Sequence, residues 1–178
     1  MRHFTISELE EGIDRIIDAP ADSGVLALIV RRPAEGEREV LEVGQLDPTE
    51  GLQGDSWSLR TAAVGEPYNQ INVMSARAIS LIAGEPDRWQ LAGDQLYLDF
   101  DISQDNLPAG SRLSIGETVI EVSPEPHTGC QKFSQRFGVD ALRFVNSEAG
   151  RKLRLRGFNA RVIVPGTIRT GDAVRKQV

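Results

Sequence analysis

Apolar positions along the chain fall mostly in short runs bounded by glycine and proline. Gly24 to Arg32, with Val25, Leu26, Leu28, Ile29 and Val30, reads as a buried strand, and Glu39 to Leu46 as its hairpin partner across the turn at 33–37. Asn69 to Met74 places Ile71 and Val73 on one face. Leu96 to Asp101 alternates Leu96, Leu98 and Phe100 against Tyr97, Asp99 and Asp101, which predicts a half-buried strand. Arg112 to Ile115 and Thr118 to Val122 are two further strands joined at Gly116-Glu117. Phe158 to Val164 is another, continued after Pro165-Gly166 by Thr167 to Thr170, and Ala173 to Lys176 is the last.

Helical spacing is confined to a few places. Thr5 with Glu8 forms a capping box ahead of Leu9, Ile13, Ile16 and Ile17, and the helix should end before Pro20. Ser75 caps a predicted helix over Ala76 to Ala83, stopped by Gly84. Pro86 to Leu91 is a second short helix, and Phe133 to Phe137 and Asp140 to Asn146 are two pieces split at Gly138. Leu46 to Trp57 is irregular. Many short strands broken by glycine turns, with helices inserted, predict a barrel-like or sandwich-like domain. A chain of 178 residues fits one domain, 1–178, with 1–23 a helical extension and 24–175 the core.

Composition narrows the function classes. A net charge of −6 argues against non-specific nucleic-acid binding, which needs a basic footprint. No apolar run approaches the ~18 residues of a membrane span. The segment 1–20 carries five acids and no apolar run, so it does not read as a signal peptide. A single cysteine excludes an internal disulfide and fits a reducing compartment, so the expected location is cytoplasmic.

That cysteine, Cys130, lies in Pro124-Glu125-Pro126-His127-Thr128-Gly129-Cys130-Gln131-Lys132-Phe133, beside one of the two histidines. Two prolines and a glycine make a shaped loop that can present a thiol to a ligand. The loop alone serves a buried, inert thiol equally well.

The order of motifs resembles the MOSC domain, named for the C-terminal domain of molybdenum-cofactor sulfurases. The likeness rests on Gly51-Leu52-Gln53-Gly54-Asp55, Asn69-Gln70-Ile71-Asn72-Val73-Met74, Asn106-Leu107-Pro108-Ala109-Gly110 and Leu113-Ser114-Ile115-Gly116. The cysteine loop, Gly157-Phe158-Asn159-Ala160-Arg161-Val162, Pro165-Gly166-Thr167-Ile168 and Gly171-Asp172 complete it, from about Gly24 to Arg175. The resemblance implies a mainly β fold with inserted helices: a closed or nearly closed β-barrel, mostly antiparallel. It implies the molybdenum cofactor (molybdopterin), a pterin dithiolene with a phosphate, and makes Cys130 the ligand to molybdenum. Relatives reduce small N-hydroxylated compounds as oxidoreductases; a sulfur-carrier role through a persulfide is also proposed for the family. The rival expectation is a carrier module that holds the cofactor or a persulfide without turnover.

The residues suit that chemistry. A soft thiolate matches a high-valent metal with sulfur ligands, and nearby positive charge from Lys132 or His127 would favour the thiolate. Zinc is disfavoured, because His3, His127 and Cys130 do not complete a ligand set without carboxylates. His127 is expected either to pass a proton or to hydrogen-bond the backbone. Asp55, Asn72 and Asn106 are candidates for the pterin edge, each with a turn or strand-end role as the alternative. Arg161, in an otherwise apolar strand, is the favoured partner of an anionic group, with an internal carboxylate as the alternative. Arg156, in the basic run 151–156, is a further cofactor candidate. Many relatives carry histidine where this chain has Trp57, which puts a proton-transfer role there in doubt. The chain carries no iron–sulfur or flavin motif and no desulfurase domain. An external electron donor or cysteine desulfurase and a small-molecule substrate are therefore expected, and pyridoxal phosphate is not.

Overall fold

The computed structural model describes residues 2–61 and 67–177. The strands are β1 (Ser23–Arg31), β2 (Glu39–Leu41), β3 (Val43–Asp47), β4 (Gly51–Leu52), β5 (Ile71–Ser75), β6 (Leu96–Asp99), β7 (Arg112–Ile115), β8 (Thr118–Val122), β9 (Phe158–Val164), β10 (Gly166–Arg169) and β11 (Ala173–Gln177). The α-helices are α1 (Ile6–Glu11), α2 (Asp14–Ile17), α3 (Trp57–Thr61), α4 (Ala76–Ala83), α5 (Gln131–Phe137), α6 (Val139–Asn146) and α7 (Glu148–Lys152).

Seven strands close a barrel in the order β1-β6-β5-β9-β8-β7-β11, with β11 returning to pair β1. Every neighbouring pair is antiparallel except β5 with β6, where the crossover carries α4. Closure removes the open edges that an unclosed sheet would expose. The expected barrel is therefore present, and it is mostly antiparallel.

The interior is filled by side chains from each stave, including Leu26, Ile71, Val73, Leu96, Leu98, Leu113, Ile115, Ile120, Ala160 and Val174, all buried. In β1 the inward residues Leu26 and Ile29 are three apart rather than two. A register shift between Leu26 and Leu28 accounts for this, since an extra residue flips the alternation. A second apolar layer lies between barrel and helices, with Leu9, Met74, Ile79, Tyr97, Phe133, Phe137 and Phe144.

Four expectations need correction. The run from Glu39 to Leu46 is not one strand: β2 pairs β1, whereas β3 joins a separate three-stranded sheet with β4 and β10. Thr167 to Thr170 does not extend β9 in the barrel, because β10 turns out to pair β3. Leu96 to Asp101 is not half-buried at Tyr97, which is fully buried under the helical layer and donates its hydroxyl to the Trp89 carbonyl at 2.8 Å. The first helix is also split, α1 ending at the Gly12 C-cap before α2.

Gly157 shows how tightly the site side of the barrel is built. Its φ is +97°, and an added Cβ would lie 2.0 Å from the Val73 carbonyl oxygen. No other residue type fits there without moving β5 or β9.

Candidate functional site

The cysteine loop leaves β8 and ends at the N-cap of α5, where Cys130 has extended backbone and makes no side-chain capping bond. Its position is fixed one residue earlier. Asn146, at the end of α6, accepts from Gly129 N at 2.9 Å and donates to Gly129 O at 3.1 Å. An added Cβ on Gly129 would meet Leu142 at 2.8 Å and Val145 at 2.9 Å, so a larger residue there would have to displace these side chains of α6. The thiol is left exposed.

Cys130 lines a hollow of about 190 Å³ together with Arg32, Arg38, Lys132, Arg136 and Arg156. Three of these cations have carboxylate partners. Arg32, at the end of a buried strand, binds Asp55 in a fork, with Nε to Oδ2 and Nη2 to Oδ1 both 2.9 Å. Arg156 donates to Asp94 Oδ2 at 2.6 Å and lies over the Phe133 ring. Lys132 reaches Glu35 at 3.0 Å in the open.

Arg38 and Arg136 have no carboxylate partner among the described residues. Arg136 is anchored by the Leu91 carbonyl at 2.6 Å, while Arg38 Nε is buried without a hydrogen-bond partner. Burial, then the neighbouring Arg136 and Arg32, pushes the Arg38 guanidinium below its ordinary value. A Cβ placed on Gly93 would be 3.3 Å from Arg38 Nη2 and 3.6 Å from Arg136 Nη1. The two guanidiniums thus converge over one piece of backbone, neither in an ion pair among the described residues, an arrangement that favours an anion.

A second, larger hollow of about 380 Å³ lies beside the first, and its charged and titratable wall is Glu125, His127, Arg151, Arg154 and Arg156. Arg156 belongs to both. His127 Nδ1 is 3.5 Å from Asp94 Oδ1, and both atoms are sealed and otherwise without partners. Burial first, and Arg156 second, lower the His127 pKa to about 4, so the ring is neutral near pH 7.

The structure separates the expected site residues into groups. Cys130, Lys132 and Arg156 line the first hollow. His127 lines the second, three residues from the thiol but across Arg156 from its hollow. Asp55 and Asn72 line neither. Asp55 is buried and, besides holding Arg32, accepts from Trp57 N at 2.9 Å; Asn72 accepts from Arg32 Nη1 at 3.0 Å and donates to Asn159 Oδ1 at 2.7 Å. Both position Arg32.

Two further expected residues, Arg161 and Asn106, line neither hollow. Arg161 lies on the outer side of β9 in register with Glu121, and both its Nε and Nη2 bond Glu121 Oε1, at 2.9 and 2.6 Å. Its counter-charge is internal, the alternative expected for it. Asn106 is spent on the Ala21 and Asp101 carbonyls and on Lys176. Trp57 donates its ring N–H to Asn69 Oδ1 at 3.0 Å.

Sequence reading missed Arg32, Arg38, Arg136, Asp94 and Asn146. A signal existed for one: Arg32 caps an apolar strand, where a charge calls for a partner. Among the described residues no group of three or more His, Cys, Asp or Glu side chains could hold a metal, so a metal here would need ligands from elsewhere.

Comparison with known proteins places the fold. No curated protein matches the chain. Among solved structures it is similar to the YuaD protein of Bacillus subtilis, at 16% identity and TM-score 0.64, covering 85% of this chain and 94% of that one. It is similar to YiiM of Escherichia coli, at 17% identity and TM-score 0.56, covering 86% and 70%. A third likeness is to YiiM of Geobacillus stearothermophilus, at 14% identity and TM-score 0.55, covering 90% and 75%. The MOSC domain profile matches residues 61–175, from α3 through most of β11. With well over half its length matched and the barrel in place, the chain belongs to the MOSC domain family, known for molybdenum-cofactor-related sulfurase and binding roles.

Proposed function

We propose that the chain binds the molybdenum cofactor, with the Cys130 thiolate as ligand to molybdenum and Arg38 and Arg136 taking the phosphate. The observation that supports this most is the pairing of the only thiol with two guanidiniums that form no ion pair among the described residues, in one hollow. The donor set fits the group. One soft sulfur is what a metal already held by a dithiolene needs from the protein, and planar guanidiniums match phosphate oxygens.

When bound, the group supplies a redox centre suited to two-electron reduction of a small N-hydroxylated compound. A separate electron-donor protein would feed it. The chain's own residues bind and orient: Asp55 and Asn72 hold Arg32 in place, Asp94 holds Arg156, and Asn146 fixes the loop that carries the thiol. The exposure of Cys130 also suits a second reading, in which it carries sulfur as a persulfide received from a cysteine desulfurase.

The test is molybdenum content after expression in cells that make the cofactor. Wild type should retain the metal and Cys130→Ala should lose it; equal content in both would remove the ligand assignment. Turnover of an N-hydroxylated base with a reductase separates the enzyme from a carrier. Cyanide-releasable sulfur on the wild type but not on Cys130→Ala would favour the persulfide.

A further inference from the structure

The second hollow does not include Cys130, and its chemistry differs from that of the first. Arg151 and Arg154 have no carboxylate partner among the described residues. Arg154 is held at φ +51°, a left-handed conformation that arginine seldom adopts, with its guanidinium 2.6 Å from the Leu107 carbonyl. Such strain in a cavity wall is a reason to look for a ligand. Arg156, nine-tenths buried, carries an Nε with no partner. Pro108, Pro124 and Pro126 give the hollow an apolar flank that is rigid in the backbone.

The histidine edge is equally specific. The sealed Asp94 Oδ1 lies 3.5 Å from His127 Nδ1, and its negative charge favours the tautomer with the proton on Nδ1. The Nε2 lone pair is then left for the other side of the ring. His127 is one of the residues that line the hollow.

We propose that this hollow binds a small organic acid carrying one hydrogen-bond donor. Its carboxylate lies toward Arg151 and Arg154, its apolar body against the prolines, and its hydroxyl or N–H donates to His127. A volume of about 380 Å³ suits a ligand of that size. No metal at Cys130 is required, so this assignment stands or falls separately from the cofactor reading.

The experiment uses 4-hydroxybenzoate as probe and the histidine ring signals as readout. The chain has two histidines, and His3 is the internal control. Saturable displacement of the His127 signal, with His3 unmoved, is expected. The uncharged 4-hydroxybenzamide should bind about tenfold more weakly or worse, since it loses a charge-assisted contact. Arg151→Glu, at an exposed position and so safe for the fold, should weaken 4-hydroxybenzoate by about tenfold. No saturable shift at His127 would overturn the proposal. So would equal affinity for acid and amide, or unchanged affinity in Arg151→Glu.

Discussion

The barrel interior and the layer beneath the helices are both rich in buried side chains, yet they are built from different matter. The interior holds a continuous cluster of buried apolar side chains, from Leu26 to Val174. The helical side combines Phe133, Phe137 and Tyr97 with Asp94, Arg156, Arg32 and Asp55, and it is there that the thiol and the two hollows lie. Burying charge costs several kcal/mol per ion unless it is paired, and a purely structural layer would gain more from leucine. The charge is concentrated where a ligand would use it, beside the apolar cluster that supports it.

The sharpest way to break this contrast is Asp94→Ala. Asp94 is fully buried and answers both Arg156 and His127. Removing it leaves a buried guanidinium uncompensated, with an expected loss of about 3–5 kcal/mol in urea unfolding. Inorganic phosphate affinity should change as well, because Arg156 lines the cysteine hollow. A loss under about 1 kcal/mol would mean that water reaches Arg156 and that the layer is not closed.

Leu98→Ala is the matching change in the interior. It removes a fully buried side chain and should cost roughly 3 kcal/mol through lost transfer and a residual cavity. Phosphate affinity, measured where the protein remains folded, should not move. If it falls with stability, the two regions are not separable and the contrast fails.

The staves were legible because burial on one side imposes a local period of two, visible within five residues. β8 and α4 begin and end where their patterns do. The second sheet was not legible, since nothing within β3 or β10 shows that they pair across more than 120 residues; Gln45 and Thr167 sit side by side only after folding. The helix α7 was missed although Ser147 caps it, because its five residues carry no apolar stripe. At the site the same division holds. Cys130 was legible because its loop is shaped by its own prolines and glycine. Arg32, Arg38 and Arg136 come from distant segments, and an arginine facing a cavity looks, in sequence, like any arginine on a surface. Asn146 was invisible for the same reason: its clamp on Gly129 spans 17 residues.

A smaller effect comes from pH. The folded pKa of His127 is near 4, against an ordinary 6.5, so the unfolded chain takes up the proton first. Its contribution to stability is therefore complete above about pH 6.5 and is lost as pH falls toward 4. Between pH 7 and 5 the loss should be roughly 2 kcal/mol by proton linkage. His127→Gln should flatten the profile across that window. A wild-type profile already flat there would mean that the ring protonates freely, and the sealed pair with Asp94 would have to be abandoned.

The smallest effect is expected at Arg161, and it bears on the contrast because this residue and Arg156 look alike in sequence. Arg156 is buried and answers a carboxylate that has no exposure; Arg161 is 37% exposed and shares Glu121 with Arg112, which bonds the other oxygen at 3.0 Å. Losing Arg161 leaves Glu121 partnered. An ion pair that open, with a second cation already in place, should be worth less than about 1 kcal/mol. Arg161→Ala should therefore unfold within about 1 kcal/mol of wild type and bind phosphate with unchanged affinity. A tenfold drop in phosphate affinity would reinstate Arg161 as an anion ligand. It would also mean that the charge lining the outer face of β9 belongs to the site, and that the line drawn between the helical side and the rest of the barrel stands in the wrong place.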